Sequence, residues 1–253
     1  MERDRLLFLL VLIFILGAFV FAEHGESYEV RYENVTRVID GDTFVVEGNE
    51  TVRPKGFDTT ETGEECSEEA MEWVEERIDG EEVKMKVTGE DIYGRTLAHV
   101  YHEGEHLGNQ LVGEGLAYTY YLDEDGMFVD DLIEKERKAM EDNRGCLWSR
   151  DLGNPEEVID ACDADGHVSE VSVVEGVVED VSRAENITFL NFGEEHPDHC
   201  FTGVVWDSYR PRFPEDWKTY ENKTVRIEGL VTEYDEKPQV ELRDSLQIKV
   251  LEP

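Results

Sequence analysis

A hairpin between two charged segments is the feature that most restricts how this chain can fold. Residues 39–43 read IDGDT, residues 53–61 read RPKGFDTTE, and the dipeptide GN lies between them. Gly and Asn between two segments of strand-like composition favour a tight turn. Such a hairpin brings Asp42 close to residues 58–61, so carboxylates from both segments can share one ion.

A third segment, DIYGR at residues 91–95, adds to these charged side chains. The three segments together supply three carboxylates and two guanidinium groups: Asp42, Asp58, Glu61, Arg53 and Arg95. Carboxylate oxygens suit calcium or magnesium rather than zinc. The planar guanidinium suits a phosphate, especially one that gains charge during reaction. The set is what phosphodiester cleavage needs, and surface ion pairs of little energetic value are the alternative interpretation.

In this order and spacing, the segments resemble the motifs of the staphylococcal nuclease (thermonuclease) family. The family pattern is a strand ending in D-G-D-T, a second strand with Arg leading to D-T-P-E, and then D-x-Y-G-R. The similarity continues through LAHVYHEGEHLGNQLVGEGLAY to GCLW at residues 145–148, and it covers residues 28–148. It implies a β-rich α+β catalytic domain at residues 28–149, built as a five-stranded Greek-key barrel, the OB-fold, with three helices.

The resemblance further implies a calcium-dependent endonuclease that hydrolyses DNA and RNA with little sequence preference and leaves 3′-phosphate ends. The implied ligands of Ca²⁺ are Asp42, Asp58 and the backbone carbonyl of Thr59. Glu61 is the family's candidate general base, because a carboxylate beside the metal can orient and deprotonate the attacking water.

The same resemblance implies that Arg53 and Arg95 grip the scissile phosphate and offset its transition-state charge. Tyr93 and Tyr121 match family tyrosines that contact the terminal phosphate of a bound nucleotide. These four residues complete the implied substrate site.

The sequence departs from the family pattern at several positions near the motifs. Thr60 stands in place of the Pro of D-T-P-E, and Pro54 and Lys55 follow Arg53 where apolar residues are usual. Ile92 replaces a frequent basic residue before the tyrosine. None of these changes removes a catalytic group, so we expect reduced rather than abolished activity.

Periodicity and capping residues predict the elements of the first domain. Ser67 can cap a helix over residues 67–78, with acidic residues in its first turn and Asp79-Gly80 at its end. The remaining predicted elements are helices at 107–114 and 130–143 and strands at 28–33, 35–39, 44–47, 51–53, 83–87 and 97–102.

The second half of the chain is predicted to be a separate β domain. Residues 150–167 are rich in Asp, Gly and Pro and are interpreted as a linker. Residues 168–253 resemble the nucleic-acid-binding OB-fold domains that follow nuclease domains in some exported proteins. Its strands are predicted at 168–181, 187–192, 201–206, 224–234 and 239–250, the last interrupted by a turn near Asp244, with a helical turn at 214–220.

Aromatic side chains of this second domain have two interpretations. They could stack nucleobases, or they could pack in the core and at its rim, which is the favoured interpretation. The domain carries 19 acidic and 9 basic residues, so the usual electrostatic attraction for nucleic acid is missing. The aromatic residues concerned are Phe189, Trp206, Tyr209 and Trp217.

The N-terminal segment predicts export. Residues 6–22 are uncharged and mostly apolar, Arg3 and Arg5 precede them, and VFA stands before Glu23. This pattern indicates a signal peptide at residues 1–22, with an uncleaved membrane anchor as the alternative. In both cases the rest of the chain lies outside the cytoplasm, secreted or on the outer face of the membrane.

Four cysteines and four glycosylation sequons fit an exported protein. The cysteines leave several pairings open: Cys66–Cys146 and Cys66–Cys162 are the candidates, and a bridge to Cys200 would tie the two domains together. The sequons lie at Asn34, Asn49, Asn186 and Asn222, and chance occurrence is the alternative.

The acidic balance, 61 acidic against 24 basic residues, gives a net charge of −37. Such a surface repels nucleic acid in dilute buffer, but at molar salt the screening length falls to about 3 Å. We therefore interpret the charge as adaptation to a salty medium. The sequence does not imply a protein partner, and we expect a monomer. The alternative function is a catalytically silent extracellular or envelope module that binds nucleic acid or another surface.

Overall fold

The computed structural model describes residues 28–120 and 129–251. Its first half is a barrel whose strands run in the order β3-β2-β1-β5-β6, and β6 pairs back onto β3 in parallel to close the ring. The strands of this half are β1 (Glu29–Asp40), β2 (Thr43–Val46), β3 (Glu50–Pro54), β4 (Gly56–Asp58), β5 (Glu82–Glu90), β6 (Thr96–His102), β7 (Glu105–His106) and β8 (Tyr118–Tyr120). The predicted five-stranded barrel is therefore present.

The helices of the first half lie where the sequence places them. Within the described ranges they are α1 (Ser67–Ile78), α2 (Leu107–Gly113), α3 (Val129–Glu141) and the short α4 (Gly145–Trp148). The buried face of α1 carries Ala70, Val74 and Ile78 and packs on the barrel core. Burial of this apolar stripe, rather than helix propensity, supplies most of the stability of such a helix.

The start of α1 differs in detail from the prediction. The capping position is occupied by Cys66, whose φ is 75°, and not by Ser67. The Ser67 hydroxyl instead donates to the Glu64 carbonyl at 2.7 Å, in the turn before the helix. The reason is covalent, since Cys66 is bonded to Cys146 and the helix begins at that bridge.

The second half forms another closed barrel. Its strand order is β10-β11-β12-β14-β13, with β13 pairing back onto β10 and with β12 and β14 running in parallel. The strands are β9 (Val158–Asp160), β10 (Val171–Ala184), β11 (Ile187–Phe192), β12 (Phe201–Trp206), β13 (Thr224–Tyr234), β14 (Lys237–Glu241) and β15 (Ile248–Val250). The turn predicted near Asp244 is confirmed: a 3₁₀ turn at Ser245–Gln247, capped by Asp244, separates β14 from β15.

The segment predicted as a linker, residues 150–167, is largely part of the second barrel. Its strand β9 pairs in parallel with β10, and Ala161 and Ala164 are buried in the barrel core. Cys162 forms a disulfide with Cys200, so the candidate pairing Cys66–Cys162 is wrong and neither bridge joins the two barrels. Composition misled here because the Asp and Gly residues form a compact 3₁₀ turn at Ala161–His167 rather than an open chain.

The barrels contact each other through a small apolar cluster and several ion pairs. Tyr118 and Trp148 of the first barrel pack edge to face, and Val171 of the second joins the same cluster. Arg212 of the second barrel pairs with Glu136 of the first at 3.3 Å, Arg137 pairs with Asp244, and Glu65 accepts from the backbone N–H of Val171 at 2.7 Å. The contact therefore combines buried aromatic surface with charge-assisted hydrogen bonds.

Several surface predictions can be placed on the fold. All four sequon asparagines are exposed, at Asn34, Asn49, Asn186 and Asn222. The export segment, residues 1–22, lies outside the described residues. Within residues 28–120 and 129–251, no helix is both long and apolar enough to span a membrane.

Candidate active site

The two acidic segments meet at the end of the first hairpin, as predicted. One carboxylate oxygen of Asp42 accepts from the Thr59 backbone N–H at 2.8 Å and from the Thr59 hydroxyl at 3.0 Å. Gly41 permits this approach, because a Cβ there would lie 2.7 Å from the Thr59 methyl carbon and 2.9 Å from Ala70. The Gly between the two aspartates is thus required by packing, and it fixes Asp42 against the second segment.

Arg53 lies between the two candidate metal-binding aspartates. Its guanidinium contacts the Asp42 carboxylate at 3.1 Å and pairs with Asp58 on the other side. It also donates to the Asp42 carbonyl at 3.2 Å. The Arg53 side chain is mostly buried, and these acceptors together hold its planar guanidinium in one orientation.

Two aspartates of this cluster, Asp40 and Asp58, have raised pKa values. Burial raises the pKa of Asp58 to about 6, although Arg53 acts in the opposite direction, and the nearby charge of Asp42 raises it further. Burial also raises the pKa of Asp40, again with a contribution from Asp42. Asp40 accepts the Asp42 backbone N–H at 3.1 Å and is a member of the cluster that the sequence analysis did not single out.

These residues fit a bound divalent cation. Asp40, Asp42 and Asp58 place three carboxyl groups beside the single guanidinium of Arg53. Among the described residues, no group of three or more His, Cys, Asp or Glu side chains is arranged as a ready metal cage. Calcium tolerates such a sparse site, because carbonyls and waters can complete its six to eight oxygen ligands.

Arg95 is held by its own loop. The Asp91 carboxylate accepts from the Arg95 side-chain Nε at 2.7 Å and from the backbone N–H groups of Tyr93 and Arg95, each at 2.9 Å. The Arg95 guanidinium lies 5.6 Å from the centre of the Tyr93 ring. Asp91 is therefore a positioning residue that the motif contained but the sequence analysis left without a role.

Both arginines line one open cleft of about 330 Å³. Asp58 and Tyr93 line it too, and the Tyr93 side chain is 78% exposed. Tyr120 is a further lining residue, unforeseen from the sequence. The predicted Tyr121 lies outside the described residues. The cleft thus presents two cations and two tyrosine rings beside the aspartate cluster.

Glu61 is not among the described residues that line this cleft. Its side chain is exposed, and its backbone N–H donates to the Glu64 carboxylate at 2.7 Å. The adjacent Thr60 is buried, and its hydroxyl has no hydrogen-bond partner within the described ranges. The position that departs from the family's proline therefore contains a buried polar group without compensation, directly before the candidate base.

A residue of the second barrel reaches behind the site. Arg243 is buried, donates to the Thr119 carbonyl at 2.9 Å, and lies 4.5 Å from the centre of the Tyr118 ring. Tyr118 and Thr119 belong to β8, which pairs with the strand that ends at Asp58. Arg243 also opposes the rise in the pKa of Asp58. Sequence patterns gave no signal for this contact between residues so far apart.

The strand that carries Thr119 is fixed on its other side by a buried acid. Glu136 on α3 accepts the Thr119 backbone N–H at 2.9 Å and pairs with Arg212 of the second barrel at 3.3 Å.

The barrel, its aspartate cluster and its arginine-lined cleft together define an OB-fold hydrolase suited to phosphodiester bonds.

Comparison with known proteins agrees with that class. The family model described as "Staphylococcal nuclease homologue" matches residues 46–150. The thermonuclease of Staphylococcus intermedius is 33% identical over 138 residues, which are 50% of this chain and 78% of that protein. The chain belongs to the staphylococcal nuclease family.

Other relatives give the same result. The thermonuclease of Staphylococcus hyicus is 29% identical over 144 residues, 53% of this chain and 84% of that protein. The endonuclease YncB of Bacillus subtilis is 34% identical over 132 residues, 46% of this chain and 62% of that protein. These relatives support a hydrolytic nuclease. The family match ends at residue 150, before the second barrel.

Proposed function

We propose that the first barrel is a calcium-dependent endonuclease that hydrolyses DNA and RNA with little sequence preference and leaves 3′-phosphate ends. The observation that carries this proposal is Arg53, which pairs with both Asp42 and Asp58 in the cleft that Arg95 also lines. A phosphate bound here would contact the guanidinium of Arg53, and its metal ion would contact the neighbouring carboxylates of Asp42 and Asp58.

The proposed ligands of the calcium ion are Asp42, Asp58 and the backbone carbonyl of Thr59. The ion, when bound, would polarise a phosphate oxygen and lower the pKa of nearby water. Asp40 orients the first of these ligands through the Asp42 backbone N–H. The hydrogen bonds from Thr59 to Asp42 keep the two segments in register for a shared ion.

Arg53 and Arg95 are proposed to bind the equatorial oxygens of the scissile phosphate as their charge grows. Asp91 holds the Arg95 guanidinium in one orientation, which reduces the entropy lost when the phosphate binds. Glu61 is proposed to take the proton of the attacking water, and Tyr93 and Tyr121 to contact the terminal phosphate of the substrate.

The proposal is tested by digesting DNA and RNA at high salt with residues 23–253, in calcium or in EDTA. Cleavage in calcium alone, with 3′-phosphate ends, is the expected result. Arg95→Ala and Glu61→Gln should each lower the rate by at least about a hundredfold. Arg37→Ala, at an exposed position of β1, is the matched control and should cleave normally. Full cleavage by both site variants would refute the assigned roles.

We also propose domain limits and a cellular location. The catalytic domain spans residues 28–149, and residues 168–253 form most of a second OB-fold, because its strand order repeats that of the first barrel. The chain is proposed to be exported through residues 1–22 and to act as a monomer, either secreted or anchored on the outer face of the cell membrane. Mass measurement of the secreted form tests the cleavage after residue 22.

A second candidate function is a catalytically silent module that binds nucleic acid or another surface. The observation that favours it is Glu61, which does not line the cleft among the described residues. Under this alternative, folded protein would show no cleavage at any salt or calcium concentration.

A further inference from the structure

The second barrel has its own cleft, at the place that corresponds to the catalytic cleft of the first. In the first barrel, the cleft involves the third barrel strand, the loop between the fourth and fifth strands, and the start of the fifth. In the second barrel, the cleft of about 430 Å³ involves the same three parts: Thr202 on β12, Tyr234 and Asp235, and Lys237 on β14. Two barrels of equal topology thus open at equivalent positions.

The corresponding loops carry similar side chains. In the first barrel the loop between the fourth and fifth strands presents Tyr93, 78% exposed, followed by Arg95. In the second barrel the corresponding loop presents Tyr234, 73% exposed, followed by Lys237. An exposed tyrosine with a cation close behind it is therefore repeated in both clefts.

The second cleft is lined by rings. Phe189 on β11 is half-buried at its wall, and His196 and His199 stack with their ring centres 5.4 Å apart. The Nδ1 atom of His199 is buried and has no hydrogen-bond partner within the described ranges. Flat rings that line a cleft suit a nucleobase, which has two faces to stack.

The charge at the cleft differs from that of the whole chain. Its lining includes Arg183 and Lys237 and a single carboxylate, Asp235, whereas the chain has 61 acidic residues against 24 basic ones. The Lys237 ammonium donates to the carbonyl oxygens of Pro197 and His199, the second at 2.8 Å, and so fixes the loop that carries the histidines. The cleft lining therefore carries charges of both signs, and its Arg183 is paired with Asp207 at 2.8 Å.

We propose that this second cleft binds single-stranded nucleic acid, with bases stacked on Phe189 and Tyr234, without cleaving it. The inference rests on the proposed nuclease function, for which the cleft would hold a strand beside the catalytic barrel. Its described lining has no counterpart of the aspartate cluster around Arg53, so it provides grip without a metal site.

A chain of net charge −37 repels the phosphates of a nucleic acid, so we expect base stacking to provide its binding in a salty medium. Phosphate contacts weaken steeply as salt rises, because their strength comes from released counterions. Base stacking on aromatic rings persists at high salt and tolerates any sequence. The proposal therefore predicts binding that depends on bases and changes little with ionic strength.

The experiment measures fluorescence anisotropy of a labelled thymidine oligonucleotide of about 12 nucleotides. The full-length mature chain, residues 23–253, is titrated in EDTA at about 1 M salt, where the Debye length is near 3 Å. Tyr234→Ala and Phe189→Leu should each weaken binding about tenfold or more, as expected for one lost stacking ring. An abasic oligonucleotide of the same length should bind at least about tenfold more weakly.

The controls separate this cleft from the catalytic one. Tyr32→Ala, at a 61% exposed ring on β1, should bind like the wild type. If only Tyr93→Ala weakens binding, or if the abasic strand binds equally well, the proposal is overturned. Because binding is measured without calcium, it is independent of cleavage: absent cleavage with a Tyr234-dependent Kd refutes the proposed nuclease alone, and normal cleavage with unchanged Kd in both variants refutes this site alone.

Discussion

Both barrels close through a parallel pairing of their third and fifth strands, Val52 with Thr96 in the first and Thr202 with Gln239 in the second. They differ in the connection that leads away from the third strand. In the first barrel the chain continues into β4, the acidic loop and α1, and this connection carries Asp58, Thr59 and Glu61. In the second barrel the corresponding connection, residues 207–223, folds inward instead.

The connection at residues 207–223 contributes four aromatic side chains to the core of the second barrel. Short 3₁₀ turns at Arg210–Arg212 and Trp217–Thr219 direct the rings into the core. The buried residues are Tyr209, Phe213, Trp217 and Tyr220. The same part of one topology thus carries the proposed metal ligands and base in one barrel and buried packing side chains in the other.

The largest expected effect comes from removing the disulfide of either barrel. Cys66 and Cys146 are 80 residues apart, and Cys162 and Cys200 are 38 apart. In the chain-entropy model, paired Cys→Ser replacement should lower the free energy of unfolding by roughly 4.5 kcal/mol in the first barrel and roughly 4 kcal/mol in the second. Denaturant unfolding measures both. A loss below about 1 kcal/mol for either pair would contradict this use of the model.

The next effect tests how strongly the barrels depend on each other. Arg243→Met removes the hydrogen bonds to the Thr119 carbonyl and to the Tyr209 hydroxyl, each 2.9 Å long. Because the buried partners then lack a donor, unfolding should become easier by about 3 kcal/mol. Arg144→Met, at an exposed pair with Asp142, is the control and should change stability by less than about 1 kcal/mol.

The Arg243 variant also distinguishes positioning from simple packing. Since β8 pairs with the strand ending at Asp58, displacement of β8 should weaken binding at the proposed calcium site as well as lower the melting temperature. Calorimetric calcium titration of the folded variant is the measurement. Wild-type calcium affinity in a destabilised variant would show that the second barrel only packs against the first.

A pH effect is expected at the interface side of the second barrel. Burial raises the pKa of Glu228 to about 7, even though it accepts the Arg150 backbone N–H at 3.0 Å. Because the folded pKa exceeds the unfolded one, this group's stabilising contribution is full below about pH 4.5 and is lost as pH rises through about 7.

Glu228→Gln should therefore gain about 2 kcal/mol relative to the wild type between pH 5 and pH 8, measured by thermal melting at several pH values. Glu233→Gln, an exposed carboxylate on the same strand, is the matched control and should give a curve parallel to the wild type. Parallel curves for Glu228→Gln as well would mean that Glu228 ionises normally.

The smallest effect compares two neighbouring threonines of the first barrel. Thr60→Val removes a buried hydroxyl without a described partner and should stabilise the fold by about 1 kcal/mol. Thr59→Val removes the hydroxyl that donates to Asp42 at 3.0 Å and should destabilise it by a similar amount. Equal shifts of the two melting temperatures would contradict the hydrogen-bond assignment.

Local patterns predicted much of this molecule. Helix α1 has the predicted limits, residues 67–78, because its apolar stripe and acidic first turn are contained in twelve consecutive residues. The segments around Asp42 and Asp58 were likewise recognisable, since a short hairpin joins them. Tyr209 and Trp217 proved to be core residues, as the favoured interpretation held.

Contacts between distant residues were not predictable. Arg243 meets Thr119 across 124 residues, and Arg212 meets Glu136 across 76, so no periodicity or motif connects them. The sequence left the cysteine pairings open for the same reason, because the choice between the candidates Cys66–Cys146, which is confirmed, and Cys66–Cys162 depends on tertiary geometry. A local motif predicts which residues form a site, whereas no local pattern predicts how one barrel packs against the other.

Each disulfide closes within one barrel, and the peptide between residues 153 and 157 is the covalent connection outside both. A single proteolytic nick there would leave two polypeptides that share no covalent bond. Among the described residues, they would be held together by pairs such as Arg243–Thr119, Arg212–Glu136 and Arg137–Asp244 and by the apolar cluster of Tyr118, Trp148 and Val171. Two fragments divided at this point would therefore depend on noncovalent contacts alone. Expressing them separately and mixing them, with the proposed nuclease activity as the signal, measures whether those contacts are sufficient for reassembly.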